Sequence, residues 1–437
     1  MKNTSVCLLF TLLFCSIYPT IIFAHGIASS TGLLETVSSD GPFDAMRSPA
    51  TLSSMKTDNV FGVSVNYDLT NNYKTSGSVS FTGFNDASYS VKDPNYSFWN
   101  VLAAYETKLA KETILGLAIG VKNSSLEYDR SLTLQKNPPQ DVYDQNINTK
   151  TNAFDLNASL CQNISNEISA GLKLHVNHSL PNSNSTLSHS WNSRETESEE
   201  LEINTKYTTA DLSLGLMYKK DNTQIGVNLL LLGLSQITNS KEYKYSDNNN
   251  ANNSYNVDDM NTNGNVITRR PELAVGLHQR ISTLFAFAAE GGLIFENQYK
   301  LKQLYVVDRK YQEFDTKYIY ASTYFIKIGG EFNITNDITF ALGGVYSPYE
   351  YKINYTLVNS NKNKSYFTEK NKFDRFILTL GGEYKVDKTL SLALFAETDF
   401  YNQKWTDYRK YTTSREEYTS KLDATETYLG FSVVKSL

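Results

Sequence analysis

A chain of 437 residues with 30 Tyr, 22 Phe and only 9 Pro is rich in sheet-forming aromatics and poor in the residue that interrupts ladders. Its net charge of −5, with no basic stripe, excludes nucleic-acid binding as a main activity. Beyond the first two dozen residues no stretch stays apolar for the roughly 18 residues of a spanning helix, which excludes a helical membrane protein.

Residues 1–24 read as an export signal, with Lys2 as the positive end, an apolar stretch over 6–23 and Ala24 at the cleavage position. Cys7 and Cys15 fall inside it, so Cys161 is the single cysteine of the mature chain and no internal disulfide forms. Residues 25–58 are small and polar without sustained alternation, and form an N-terminal unit of their own. From residue 59 to the end, alternating runs recur near 59–69, 96–108, 112–128, 150–163, 166–180, 202–219, 222–237, 267–281, 283–299, 318–333, 337–353, 373–386, 389–405 and 424–437. These make fourteen strands; a further run at 74–84 is assigned to the first long loop.

The pair at 373–386 and 389–405 shows the rule most clearly. Phe376, Leu378, Leu380 and Tyr384 fall on one face, while Arg375, Ile377, Thr379 and Glu383 fall on the other. Period-two alternation of this length gives strands long enough to cross hydrocarbon when tilted. The connections also alternate. Short turns sit near 110–111, 163–166, 220–221, 282, 333–337 and 387–388, and long polar segments lie between them, the longest being 238–266. Short turns at one rim and long loops at the other are the rhythm of an outer-membrane barrel. Hydrocarbon offers no partner to a bare backbone group, so such a sheet must close on itself with its apolar face outward. The fold expected is therefore all-β, a transmembrane antiparallel barrel over 59–437.

Several positions on the other face are apolar rather than polar. If Ile225, Val227, Leu229 and Leu231 face lipid, the same phase carries Leu230, Leu232 and Leu234 inside, and other strands add Phe325, Val345, Ile377 and Phe395. Apolar residues inside a barrel mean either packing against a plug or a site for an apolar ligand. Arg270, Lys327 and Arg375 face inward in the same phasing. They are positioned either to meet a carboxylate head group or to pair with lumenal Glu272, Glu331, Glu383, Glu397 or Asp399.

The stretch 29–65 resembles the amino-terminal hatch and first strand of the FadL family of outer-membrane long-chain fatty-acid transporters. Ser29-Ser30-Thr31-Gly32-Leu33 opens it, Asp40 and Asp44 follow, and Ser48-Pro49-Ala50, with Leu52 behind, stands where that family carries Asn-Pro-Ala-x-Leu. The resemblance implies a plug formed by 25–58, an apolar pocket toward the cell exterior, and passive diffusion of a hydrophobic substrate. It also implies a lateral gate at a kinked third strand, here 112–128, with Gly120 and Asn123 as the kink positions. Expected partners are a hydrophobic small molecule, outer-membrane lipid and, during biogenesis, the barrel-assembly machinery.

His175 and His178 lie on opposite faces of a strand and make no shared metal site. No nucleophile elbow, phosphate loop or Cys-x-x-Cys motif is present, so neither an enzyme nor a cofactor is expected. A general porin and a surface adhesin barrel whose long loops do the work stand as alternative functions.

Overall fold

A computed structural model describes residues 41–55, 57–81, 87–91, 95–134, 141–191, 194–247, 255–307, 310–358, 364–410 and 415–437. The export signal expected at 1–24 and the Ser/Gly-rich opening at 29–33 lie outside them. Two short 3-10 turns, Gly41–Met46 and Pro49–Ser54, precede the strands. The first half of the chain gives β1 (Asn59–Phe81), β2 (Ala87–Val91), β3 (Asn95–Ala110), β4 (Thr113–Leu134), β5 (Asp141–Asn163), β6 (Ile168–Trp191), β7 (Arg194–Lys220) and β8 (Thr223–Asp247). The second half gives β9 (Tyr255–Arg269), β10 (Glu272–Arg280), β11 (Phe285–Ile294), β12 (Asn297–Val307), β13 (Lys310–Tyr320), β14 (Thr323–Asn333), β15 (Ile338–Val358), β16 (Lys364–Lys385), β17 (Leu390–Lys410) and β18 (Arg415–Ser436).

All pairings are antiparallel, and β18 returns to β1 from Val60↔Ser436 to Phe81↔Glu416, which closes the sheet. The wall is a barrel of 14 strands. Four of these are interrupted: β2 continues β3, β9 precedes β10, β12 follows β11 and β13 precedes β14. Three of the interruptions are neighbours in the wall and lie at Arg270–Pro271, Phe295–Glu296 and Ala321–Ser322. Pro271 has no N–H for the ladder, while its carbonyl accepts from Phe295 N at 2.9 Å. The lower pieces β10, β11 and β14 are 9, 10 and 11 residues long, the span a tilted strand needs to cross hydrocarbon.

Outward residues are apolar, as the alternation predicts. Phe376, Leu378, Leu380 and Tyr384 are exposed on β16 while Ile377 and Thr379 are buried, and Ile326, Ile328 and Phe332 repeat this against Phe325 and Lys327 on β14. In the lower wall β8 pairs with β10, β10 with β11 and β11 with β14, so no backbone edge is bare there, and the exposed Leu, Ile and Phe form the belt that lipid covers.

Three expectations are corrected. The run at 74–84 is not loop up to residue 81: β1 continues through Phe81 in unbroken register with β18 beyond Thr70. Leu234 faces outward and is 64% exposed. The cause is a bulge: Asp211 pairs with Gly233 but Ser213 with Leu230, so two residues of β8 oppose one of β7 and the phase inverts. The buried positions of β8 are consequently Gly226, Asn228 and Leu230 before the bulge and Gly233, Ser235 and Ile237 after it. Gly120 and Asn123 do not interrupt the third strand. Gly120 pairs with Leu102 and Asp155, and Asn123 pairs with Trp99 and Asn152, in continuous register on both sides.

Candidate functional site

The N-terminal turns lie against the inward faces of β1 and β3 to β7 near the short-turn rim. Pro49 occupies the first helical position of the second turn, where its missing N–H costs nothing and its fixed φ favours the helix. Thr51 Oγ1 closes that turn by donating to Ser48 O at 2.6 Å. Of the motif residues, Ser48, Pro49, Ala50 and Leu52 are all buried.

This fit requires strands without side chains at the contact. A Cβ on Gly171 would fall 2.6 Å from the Pro49 carbonyl carbon, and one on Gly215 would fall 2.9 Å from Ala50 N. Both obstacles are backbone, which cannot swing aside. Polar bonds fix the same segment: Ser159 Oγ donates to Ala45 O at 2.7 Å, and Lys173 Nζ to Met46 O at 2.8 Å. Phe43 and Ala45 pack on Leu102, Ala104 and Ala118, while Leu52 packs on Ile114 and Cys161. Cys161 is a free buried thiol.

The apolar residues expected inside divide around the wall. Val345, Ile377 and Phe395, on three adjacent strands, form one buried cluster. Phe395 lies across Gly430 of β18, where an added Cβ would run into its ring tip, so the ring lies close along the wall. Phe325 does the same over Gly292 of β11. Leu230 is buried between Ser213 and Glu272, apart from that cluster. The side chain of Leu232 lies outside the described residues.

The three basic residues differ in their partners. Arg375 Nε donates to Asp399 at 2.7 Å and its Nη2 bonds the same carboxylate oxygen. Lys327 Nζ lies 3.0 Å from Glu290 and 4.7 Å from the Phe325 ring centre. Arg270 is 9% exposed, donates to Ala321 O and lies over the rings of Tyr349 and Tyr320 at 4.7 and 5.6 Å. It sits at the first of the three neighbouring wall interruptions, and its guanidinium ties that break to the one at Ala321. Tyr299, Tyr318 and Tyr351 extend the ring stack around it. Alternation signalled that these residues face inward; which carboxylate each meets depends on register between strands.

Sequence reading missed a second inward charge network. His175 Nδ1 lies 2.8 Å from Asp211 and its Nε2 lies 3.0 Å from Asp155, which also meets Lys122 at 3.7 Å. Asp155, His175 and Asp211 come from adjacent strands, and only their common parity signals that they share a face. His178 points away and bonds Thr208, in keeping with the predicted opposite faces. Among the described residues no group of three His, Cys, Asp or Glu is arranged to hold a metal ion.

No protein-family model matches the chain, and no curated protein matches it. Solved structures do. A FadL homologue from Pseudomonas aeruginosa superposes with a TM-score of 0.64 at 11% identity, covering 95% of this chain and 99% of that one. The toluene transporter TodX of Pseudomonas putida gives 0.59 at 13% identity over 95% and 99% of the two chains. The toluene transporter TbuX of Ralstonia pickettii gives 0.57 at 12% identity over 94% and 98%. With a closed wall, an apolar outer belt and this likeness along nearly its whole length, the chain is an outer-membrane β-barrel with the fold of FadL-type channels.

Proposed function

We propose that the protein passively admits hydrophobic small molecules, long-chain fatty acids among them, across the bacterial outer membrane, and that residues 25–58 plug its periplasmic end. The observation that carries this reading is the glycine-seated N-terminal segment inside the barrel. Backbone packed this closely against the inner wall occupies the lumen, and a barrel that excludes ions and passes apolar solutes needs such a removable stopper. The toluene and FadL-type transporters named above share the fold, which supports hydrophobic uptake and favours transport over enzymatic chemistry.

The apolar lining of this route is Leu230, Phe325, Val345, Ile377 and Phe395, and the outer anchor is Arg270. Lys327 and Arg375 are matched by Glu290 and Asp399. Arg270 donates to a carbonyl and lies over two ring faces, with Glu272 acting on it only through its charge, and its fork offers further donors to an incoming polar head. Lipid surrounds the belt, and the barrel-assembly machinery inserts the chain.

Reconstituted liposomes test the proposal. Vesicles bearing the protein are expected to take up oleate or toluene faster than empty vesicles while remaining tight to small ions. Rapid ion leak with no gain in oleate or toluene uptake would favour a general porin instead.

A further inference from the structure

The inner wall of β16, β17 and β18 gathers acidic side chains around Glu397, a buried carboxylate with one oxygen left unbonded among the described residues. Ile377 stands opposite Asp399, Thr379 opposite Glu397, and Asp399 opposite Glu426, so three carboxylates gather on neighbouring strands. Among the described residues Arg375 faces them; it is bonded to Asp399 and acts on Glu397 only through its charge. Glu426 accepts from the hydroxyls of Tyr401 and Tyr428. Glu397 is 4% exposed, and its Oε2 has no hydrogen-bond partner among the described residues. A carboxylate buried without a partner is costly, and the charge is relieved by a cation or by a proton. Directly below, Phe395 precedes Glu397 on the same face and packs with Ile377 and Val345.

We propose that Glu397, Asp399 and Glu426 form an inner site for the cationic head of an amphiphile whose apolar part lies on Val345, Ile377 and Phe395. The inference rests on the hydrophobic-uptake reading and refines it. At this depth the lumen takes ammonium-bearing amphiphiles in preference to fatty carboxylates. A carboxylate head would have to displace Asp399 from Arg375 and lie beside two further acids, whereas an ammonium brings a positive charge and hydrogen-bond donors to Glu397 Oε2.

Calorimetric titration of the full chain in a neutral maltoside detergent at pH 7 tests the site with dodecylammonium, dodecanol and dodecanoate. Dodecylammonium is expected to bind about tenfold more tightly than dodecanoate, the worth of one charge-assisted contact. Glu397→Gln keeps the shape of the side chain and is expected to abolish most of that preference, weakening dodecylammonium far more than dodecanol. Glu426→Gln, whose amide oxygen still accepts from one tyrosine while its NH2 faces the other, is expected to reduce it in the same direction. Dodecanol binding without an ammonium preference would overturn this site alone, as would a preference that survives both substitutions. Absence of the preference in the parent chain would mean that a proton neutralises Glu397. Failure of all three ligands to bind would overturn the uptake reading with it.

Discussion

Gly171→Val places a side chain where the N-terminal segment runs closest to the wall. The added Cβ would meet the Pro49 carbonyl carbon at 2.6 Å and its Cβ and oxygen at 2.7 Å, well inside ordinary contact. Relief requires moving the second turn inward, which strains the Ser169 and Cys161 contacts to Ala50 O and the Lys173 bond to Met46 O. Overpacking of this kind costs about 1–3 kcal/mol. Since about 1.4 kcal/mol is a factor of ten, the seated state loses roughly 5- to 150-fold of its advantage over an unseated one. The strand itself needs no change, because a branched residue suits it. Planar-bilayer recordings read the outcome. The parent chain is expected to stay closed to ions, and Gly171→Val to show frequent conducting bursts in a barrel that still resists denaturation by detergent. Gly291→Ala is the control, because its Cβ would meet only Phe325 O at 3.9 Å. Gly171→Val as silent as that control would refute the reasoning.

Leu378→Lys puts a charge on the lipid face of β16 and is expected to cost roughly 2–4 kcal/mol of stability in a bilayer, read from the urea midpoint. Arg375→Leu strands Asp399 among other acids and is expected to destabilise the barrel by about 3–5 kcal/mol, lowering the temperature at which the folded band disappears from unboiled gels. Asp387, in the turn between β16 and β17, accepts from Thr389 N, Thr389 Oγ1 and Leu390 N, and these bonds hold its carboxyl below the usual carboxylate range. Its contribution is therefore present above the ordinary carboxylate value of about 4 and is lost as pH falls through the lowered one. The stability gap between the parent chain and Asp387→Ala, measured by urea melts, is expected to shrink on acidification below that value.

The wall was legible because one physical rule acts at every strand: lipid on one side forces period-two alternation. Phe376, Leu378 and Leu380 on β16 could be placed from spacing alone, as could Ile377 between them. Phase carried along a strand fails where a residue is inserted, and the bulge of β8 turned Leu234 outward while Leu230 stayed in. Nothing in the local composition around Leu231 marks that insertion. The unbroken third strand shows a different limit: a glycine such as Gly120 is compatible with a kink but does not compel one.

Partnerships across strands were the least legible part of the inner wall. Arg375 was expected to meet one of several acids, Asp399 among them, and it does. Lys327 meets Glu290, which lies beyond the acids considered, because the choice depends on the register of β11 and β14. The pairing of His175 with Asp155 and Asp211 arises the same way. The Ser48-Pro49-Ala50 stretch was visible as a motif, but its seat was not. Gly171 and Gly215 acquire meaning only when the turn that rests on them is in place.

The position of the N-terminal segment is tested most directly by cross-linking. Leu52 shares a buried cluster with Cys161, the single cysteine of the chain from residue 25 onward. In that chain Leu52→Cys is expected to form an intramolecular disulfide with Cys161 on mild oxidation of the folded barrel, protecting both thiols from maleimide until reductant is added. A folded barrel in which both thiols stay free and are alkylated under the same oxidant would place the segment outside the lumen and contradict a plugged channel.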